Sequence, residues 1–252
     1  MEQEVLNYGQ MNFNLPHDVV SLPSGGIFYK NKKKAVKVGY LTASDENIIL
    51  NTSQSNRESV VLSLLRNKLY ETDLKPDELL TGDVEAILIF LRNTAFGPDY
   101  EVNLTDPHTG RKFNYTLVLD ELNIRKTEYK PNEEGLFVVK LPKSGNEVKL
   151  KPMSLADSLE IEKLVDTYPS NRVAPKVTWK LNKQIVSVDG ESDKGVIAKY
   201  IETMPIMDSK FVRNFLNENE PRLELQKEVT APSGEKVIVD ITFGVEFFRP
   251  FY

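Results

Sequence analysis

Tyr100-Glu101-Val102-Asn103-Leu104-Thr105-Asp106-Pro107-His108-Thr109-Gly110 continues through Arg111 and Lys112 into Phe113-Asn114-Tyr115-Thr116-Leu117-Val118-Leu119. Apolar residues recur at every second position on both sides of the Pro-Gly segment, and a period of two places each set on one face of a strand. With turn formers between them, the two runs predict a hairpin over one core. The plan returns near the C-terminus, where Leu223, Leu225 and Val229 lead into Ala231-Pro232-Ser233-Gly234 and Val237, Val239, Ile241 and Phe243 follow. A weaker third example joins Leu136–Leu141 to Val148–Leu150 across Pro142–Asn146.

Helices with readable starts separate these modules. Ser55-Asn56-Arg57-Glu58 is a capping-box sequence ahead of the stripe Val61, Leu64, Leu65, Leu69. Thr81 or Asp83 is expected to cap the next helix, with stripe Val84, Ile87, Leu88, Leu91 and a stop at Gly97-Pro98. Ser154 with Asp157 opens a third through Ile161, Leu164, Val165 and Tyr168. Ser192 or Asp193 precedes Val196, Ile197, Tyr200 and Ile201, and Asp208 precedes Phe211, Val212, Phe215 and Leu216. All five stripes are expected in the core. Hairpins and helices in mixed order, without a βαβ rhythm, predict an α+β fold of β-hairpin modules and amphipathic helices. The turn-rich residues 169–176 are expected to link an N-terminal α+β unit, 1–168, to a C-terminal helical and hairpin unit, 177–252.

Composition narrows function. At 252 residues the chain is long enough for a substantial core. The N-terminus, Met1–Gln10, has no apolar h-region, and no run reaches the about 20 apolar residues of a membrane span. Without cysteine there are no disulfides, thiolate nucleophiles or thiolate metal sites. A net charge of −5 disfavours broad attraction to nucleic acid. Lys30, Lys32, Lys33, Lys34 and Lys37 are the local exception, and a solvated turn between strands is their simpler reading.

Residue patterns that carry chemistry are few. The two histidines are His17, after Leu15-Pro16, and His108, inside a turn, and neither has the spacing of a zinc-ligand pair. Ser24-Gly25-Gly26 lacks the phosphate-loop pattern and reads as a tight turn. Carboxylate neighbours such as Asp45-Glu46 and Asp120-Glu121 point in different directions and read as surface solvation. No catalytic, cofactor-binding or metal residue is assigned. Aromatic clusters stand out instead: Phe28-Tyr29, Trp179, and Phe247-Phe248-Arg249-Pro250-Phe251-Tyr252. The last either docks back on the body or inserts into a partner, since aromatics and Arg are favoured interface anchors. Ile27, Phe28, Tyr29, Phe247, Phe248, Arg249, Phe251 and Tyr252 are the candidate protein contacts.

Several blocks, in order, carry a resemblance. They are Leu22-Pro23-Ser24-Gly25-Gly26-Ile27-Phe28-Tyr29, Gly39-Tyr40-Leu41-Thr42-Ala43 with Asp45–Leu50, Leu79-Leu80-Thr81-Gly82-Asp83, Ile87-Leu88-Ile89-Phe90-Leu91-Arg92, and Phe96-Gly97. With both hairpins and Phe247-Phe248-Arg249-Pro250, the series resembles the baseplate hub and hub-assembly proteins of T-even-type contractile-tail bacteriophages. Relatives carry zinc-ribbon-like knuckles at the hairpin turns. Here Asp106 and Thr109 replace the thiolates and the second turn is one residue short, so no zinc is expected, and burial of Tyr115, Leu117, Val239 and Ile241 is expected to hold the hairpins.

The resemblance implies a non-enzymatic protein that binds hub subunits and promotes hub assembly in the host cytoplasm. Its partners would be baseplate hub proteins, with no small-molecule substrate, cofactor or membrane. The alternatives are a permanent hub subunit of the virion and, more remotely, a nucleic-acid-binding protein using Lys30–Lys37.

Overall fold

In the computed structural model, residues 16–50, 57–71, 73–243 and 245–248 are described. The fold is α+β, as the mixed order of patterns predicts. Strand β1 (His17–Ser21) pairs antiparallel with β2 (Ala35–Gly39). Helices α1 (Ala43–Leu50), α2 (Arg57–Lys68) and α3 (Thr81–Phe96) follow. Next come hairpin β3 (Asp99–Thr105) with β4 (Lys112–Val118), then β5 (Phe137–Lys140) and β6 (Glu147–Leu150). Helices α4 (Leu155–Asp166) and α5 (Lys176–Gln184) precede β7 (Ile185–Val188), which completes the sheet β5-β6-β7. Helices α6 (Lys194–Thr203) and α7 (Ile206–Asn219) lead to hairpin β8 (Gln226–Thr230) with β9 (Lys236–Asp240).

The first hairpin has the register its alternation demands. Tyr100 faces Leu117, Val102 faces Tyr115 and Leu104 faces Phe113, so the apolar residues share one face. In the second hairpin Val229 and Val239 are buried while Ile238, on the other face, is 67% exposed.

Two apolar clusters form. One gathers β2, α2, α3 and both hairpins, with Leu64, Leu65, Ile87 and Leu91 fully buried at its centre. The other joins the sheet β5-β6-β7 to α5, α6 and α7 through Phe137, Val148, Leu181, Ile197, Val212 and Leu216. Phe28 packs against both. Residues 169–176 lie between α4 and α5.

Several local expectations change. Ser154 does cap α4 reciprocally with Asp157, and Asp193 caps α6 through Val196 N–H at 2.9 Å. Thr81 and Asp83, however, lie inside α3, whose first turn begins after Leu80 without a side-chain cap. Asp208 likewise lies within α7, which starts after Pro205. In both cases the carboxylate is taken by donors of another segment, backbone N–H groups for Asp208 and one N–H with two hydroxyls for Asp83, a use that sequence spacing does not reveal. Asp45 is not solvated either: it is 2% exposed and ion-paired with the equally buried Lys68 across α1 and α2. Leu164 and Val196, expected in the core, are 38% and 51% exposed. Ser55 and Asn56 of the capping-box sequence lie outside the described residues.

Gly82 shows how closely α3 is approached. A Cβ there would lie 2.2 Å from Pro221 O and 2.8 Å from Arg222 Cβ. Gly82→Ala should therefore lower the urea midpoint, by an overpacking cost of about 1–3 kcal/mol. Ile87→Ala, which opens a cavity under α3, should cost about 2–5 kcal/mol in the same measurement.

Candidate functional site

The candidate contacts fall into different environments. In the loop 22–29, Ile27 is 43% exposed, Phe28 is half-buried against Phe137 with ring centroids 5.6 Å apart, and Tyr29 is 6% exposed. Tyr29 and the Ser24 hydroxyl both donate to Asp83, the latter at 2.6 Å, and Ser24 N–H adds a third bond at 2.9 Å. The Tyr29 oxygen in turn accepts Leu80 N–H at 2.9 Å, supplying a bond to the uncapped start of α3. Burial pushes the Asp83 carboxyl above its ordinary value, although its three donors oppose the shift. Burial and the adjacent Asp83 push the Tyr29 phenol upward too.

At the other end of the chain Phe247 and Phe248 dock on the body, with 0% and 6% exposure. Phe247 meets Tyr100 at 5.5 Å and Phe243 at 4.9 Å, and the Arg92 guanidinium lies 5.9 Å from its ring. Arg92 is itself buried and donates to Gly97 O and to Asp99 O, which fixes the turn from α3 into β3. Arg249, Phe251 and Tyr252 lie outside the described residues.

The two hairpin turns, far apart in sequence, meet. The Asp106 carboxylate accepts His108 N–H at 2.9 Å and Thr109 N–H at 3.1 Å within its own turn. It also accepts Ser233 N–H at 3.0 Å and the Ser233 hydroxyl at 2.8 Å from the other. Burial would raise the Asp106 carboxyl, but the Ser233, Thr109 and His108 donors prevail and hold it below its ordinary value. Leu117, Val239 and Ile241 are buried beneath and Tyr115 is partly buried. The hairpins thus have a polar clasp besides their apolar contact. Among the described residues no group of three or more His, Asp or Glu could hold a metal.

A groove not anticipated from sequence lies along β5. Lys126, Glu128 and Tyr129, β5 residues Val138, Val139 and Lys140, and Phe211, Asn214, Phe215, Glu218 and Asn219 of α7 line a groove of 890 Å³. Strand β5 is an edge of its sheet. Leu141 N–H bonds to Asn146 O at 2.8 Å, so in the alternating antiparallel pattern the backbone groups of Val138 and Lys140 face away from β6. Val138 and Val139 belong to opposite faces yet both line the groove, which therefore follows the strand edge. Tyr129 and Val138 are 56% and 45% exposed at its mouth. Its wall is built by Phe215, which meets Tyr129 at 5.1 Å and Phe211 at 6.1 Å. The only signal in the sequence was the alternation 136–141; the groove needs three segments brought together by folding.

The lysine run is divided. Lys33 is ion-paired with Glu71 and Asp73, Lys32 Nζ donates to Ile27 O at 2.9 Å and Glu133 O at 3.2 Å, and Lys30, Lys34 and Lys37 are exposed. No helix among the described residues is long and apolar enough to cross a membrane.

A family model described as "T4 bacteriophage base plate protein" matches residues 19–249. No curated protein and no solved structure matches the chain.

Asp83→Ala strands the Ser24 amide and the Tyr29 hydroxyl and should cost about 2–5 kcal/mol in chemical denaturation. Phe247→Ala should cost about 3–5 kcal/mol. Asp106 is depressed in the folded state, so its contribution is present above its unfolded value of about 3.9 and is lost as pH falls through the lower folded value. Asp106→Asn should flatten that acid limb of the melting profile; an unchanged limb would show that the clasp does not titrate with folding.

Proposed function

The chain belongs to the T4 bacteriophage base plate protein family, and from that membership we propose that it promotes assembly of the central baseplate hub by binding hub subunits, without covalent chemistry of its own. The observation that carries a binding role is the open edge of β5 beside its aromatic groove. The backbone groups of Val138 and Lys140, unpaired among the described residues, can accept an added strand, while the groove wall takes apolar side chains from alternate positions of that strand. The occupant is an extended segment of a hub subunit. Ile27 is also exposed, on the loop whose Phe28 packs against Phe137.

Such a protein accelerates assembly by holding subunits in register, which offsets part of the translational and rotational freedom lost on association. The residue inventory favours this over bond-making chemistry: it contains no cysteine and two histidines, one of them in an exposed turn. The work would be done in the host cytoplasm during tail construction.

Val138→Lys combined with Tyr129→Ala should weaken co-purification of hub subunits from infected cells at least tenfold while the chain stays folded, the lost Tyr129–Phe215 contact lowering stability by only about 0.5–1.5 kcal/mol. Undiminished recovery would remove the groove from the interface. Mass spectrometry of finished particles tests the assembly role: absence of the chain is expected, and a stoichiometric presence would make it a permanent hub subunit.

A further inference from the structure

The two apolar clusters are joined by a charged seam where the end of α7 crosses the start of α3. Glu220 closes α7 by donating its N–H to Leu216 O at 2.8 Å, and the chain then turns through Pro221 against Gly82 of α3. Arg222 reaches Glu85 on α3 through both its Nε, at 3.2 Å, and Nη2. Arg222 O accepts Arg125 N–H at 2.8 Å, and the Arg125 guanidinium donates to Asn217 O on α7. Leu223 forms a bridge with Ile124, and Glu224 N–H bonds to Asn123 O at 2.8 Å. The seam therefore ties α3, α7 and the strand-like segment 123–125 at one place.

Glu220 is the anomaly in it. Its Oε1 is buried and has no hydrogen-bond partner among the described residues. The charged groups that face it are Arg222, Glu85 on α3, Arg125 on segment 123–125, and Lys180 on α5. Arg222 is already engaged bidentately by Glu85, and Arg125 by backbone carbonyl. An ionised Glu220 would thus keep a buried oxygen without a donor and set a second negative charge beside Glu85.

We propose that Glu220 is a proton-sensitive element of this seam, which is tight when its carboxyl is neutral and loosens when the carboxyl ionises. Burial, the largest influence, pushes the Glu220 carboxyl up to about 7; Arg222, Arg125 and Lys180 oppose the shift and Glu85 reinforces it. The sign follows from linkage. A carboxyl raised in the folded state contributes stability that is fully present below its unfolded value of about 4.3 and is lost as pH rises through about 7. The coupling of the two clusters is then graded across the neutral range, where a shift of tenths of a unit changes it.

Backbone hydrogen exchange of the full chain, corrected for intrinsic rates, tests this. Opening of residues 219–225 should rise on the order of tenfold between pH 6 and pH 8, and Glu220→Gln should abolish the rise while matching the wild type at low pH. The same rise in Glu220→Gln would overturn the proposal, as would a flat wild-type profile between pH 6 and pH 8. If the variant does not fold, ¹³C titration of the Glu220 carboxyl in the wild type decides: a midpoint near 7 is expected, and one in the ordinary carboxylate range refutes it.

Discussion

Asp83 has no contact with solvent and no cationic partner among the hydrogen bonds it receives, yet three donors from loop 22–29 converge on it. Burying a carboxylate is tolerable only when it is so satisfied, and the constraint runs both ways. The loop must hold Ser24 and Tyr29 against the first turn of α3, and α3 must begin at Leu80, whose N–H is bonded to Tyr29. Phe28, between those two residues, is thereby placed against Phe137 and borders both apolar clusters. That loop is thus one of the links, with the Leu80–Ser154 bridge, that set the sheet β5-β6-β7 against α3.

The same device recurs. Asp106 clasps two hairpin turns. Asp208 accepts Lys143 N–H at 2.7 Å and Ser144 N–H at 2.9 Å, pinning the β5–β6 turn to α7. A carboxylate that receives several backbone donors stabilises a turn without a metal or a disulfide, which suits a chain with no cysteine. Arg92 plays the complementary part, using carbonyl acceptors and the Phe247 ring to fasten the C-terminal aromatics over the end of α3.

These joints give a structural meaning to the sequence blocks 22–29, 79–83, 87–92 and 247–250. Tyr29 of the first block meets Asp83 of the second, and Arg92 of the third meets Phe247 of the last. Much of what these blocks encode is the internal fastening of the fold. The groove along β5 lies on residues whose sequence pattern is that of ordinary strand and helix: Val138 on the outward face of β5 and Phe211 on the stripe of α7.

The sequence by itself determined the elements whose signals are local. The alternation around Asp106–Gly110 specified strand faces and pairing, because a one-residue slip would expose every apolar side chain. The Ser154–Asp157 box specified a helix start through bonds spanning three residues. Tertiary structure alone decided what required distant partners. Asp83 and Asp208 look like helix caps until donors 59 and 65 residues away claim them. The ends of the two hairpins meet only because one core draws both together, and the β5 groove exists only once residues 126–129, 138–140 and 211–219 are neighbours. Local patterns encode periodicity and capping; the satisfaction of a buried charge and the shape of a groove are properties of the assembled chain.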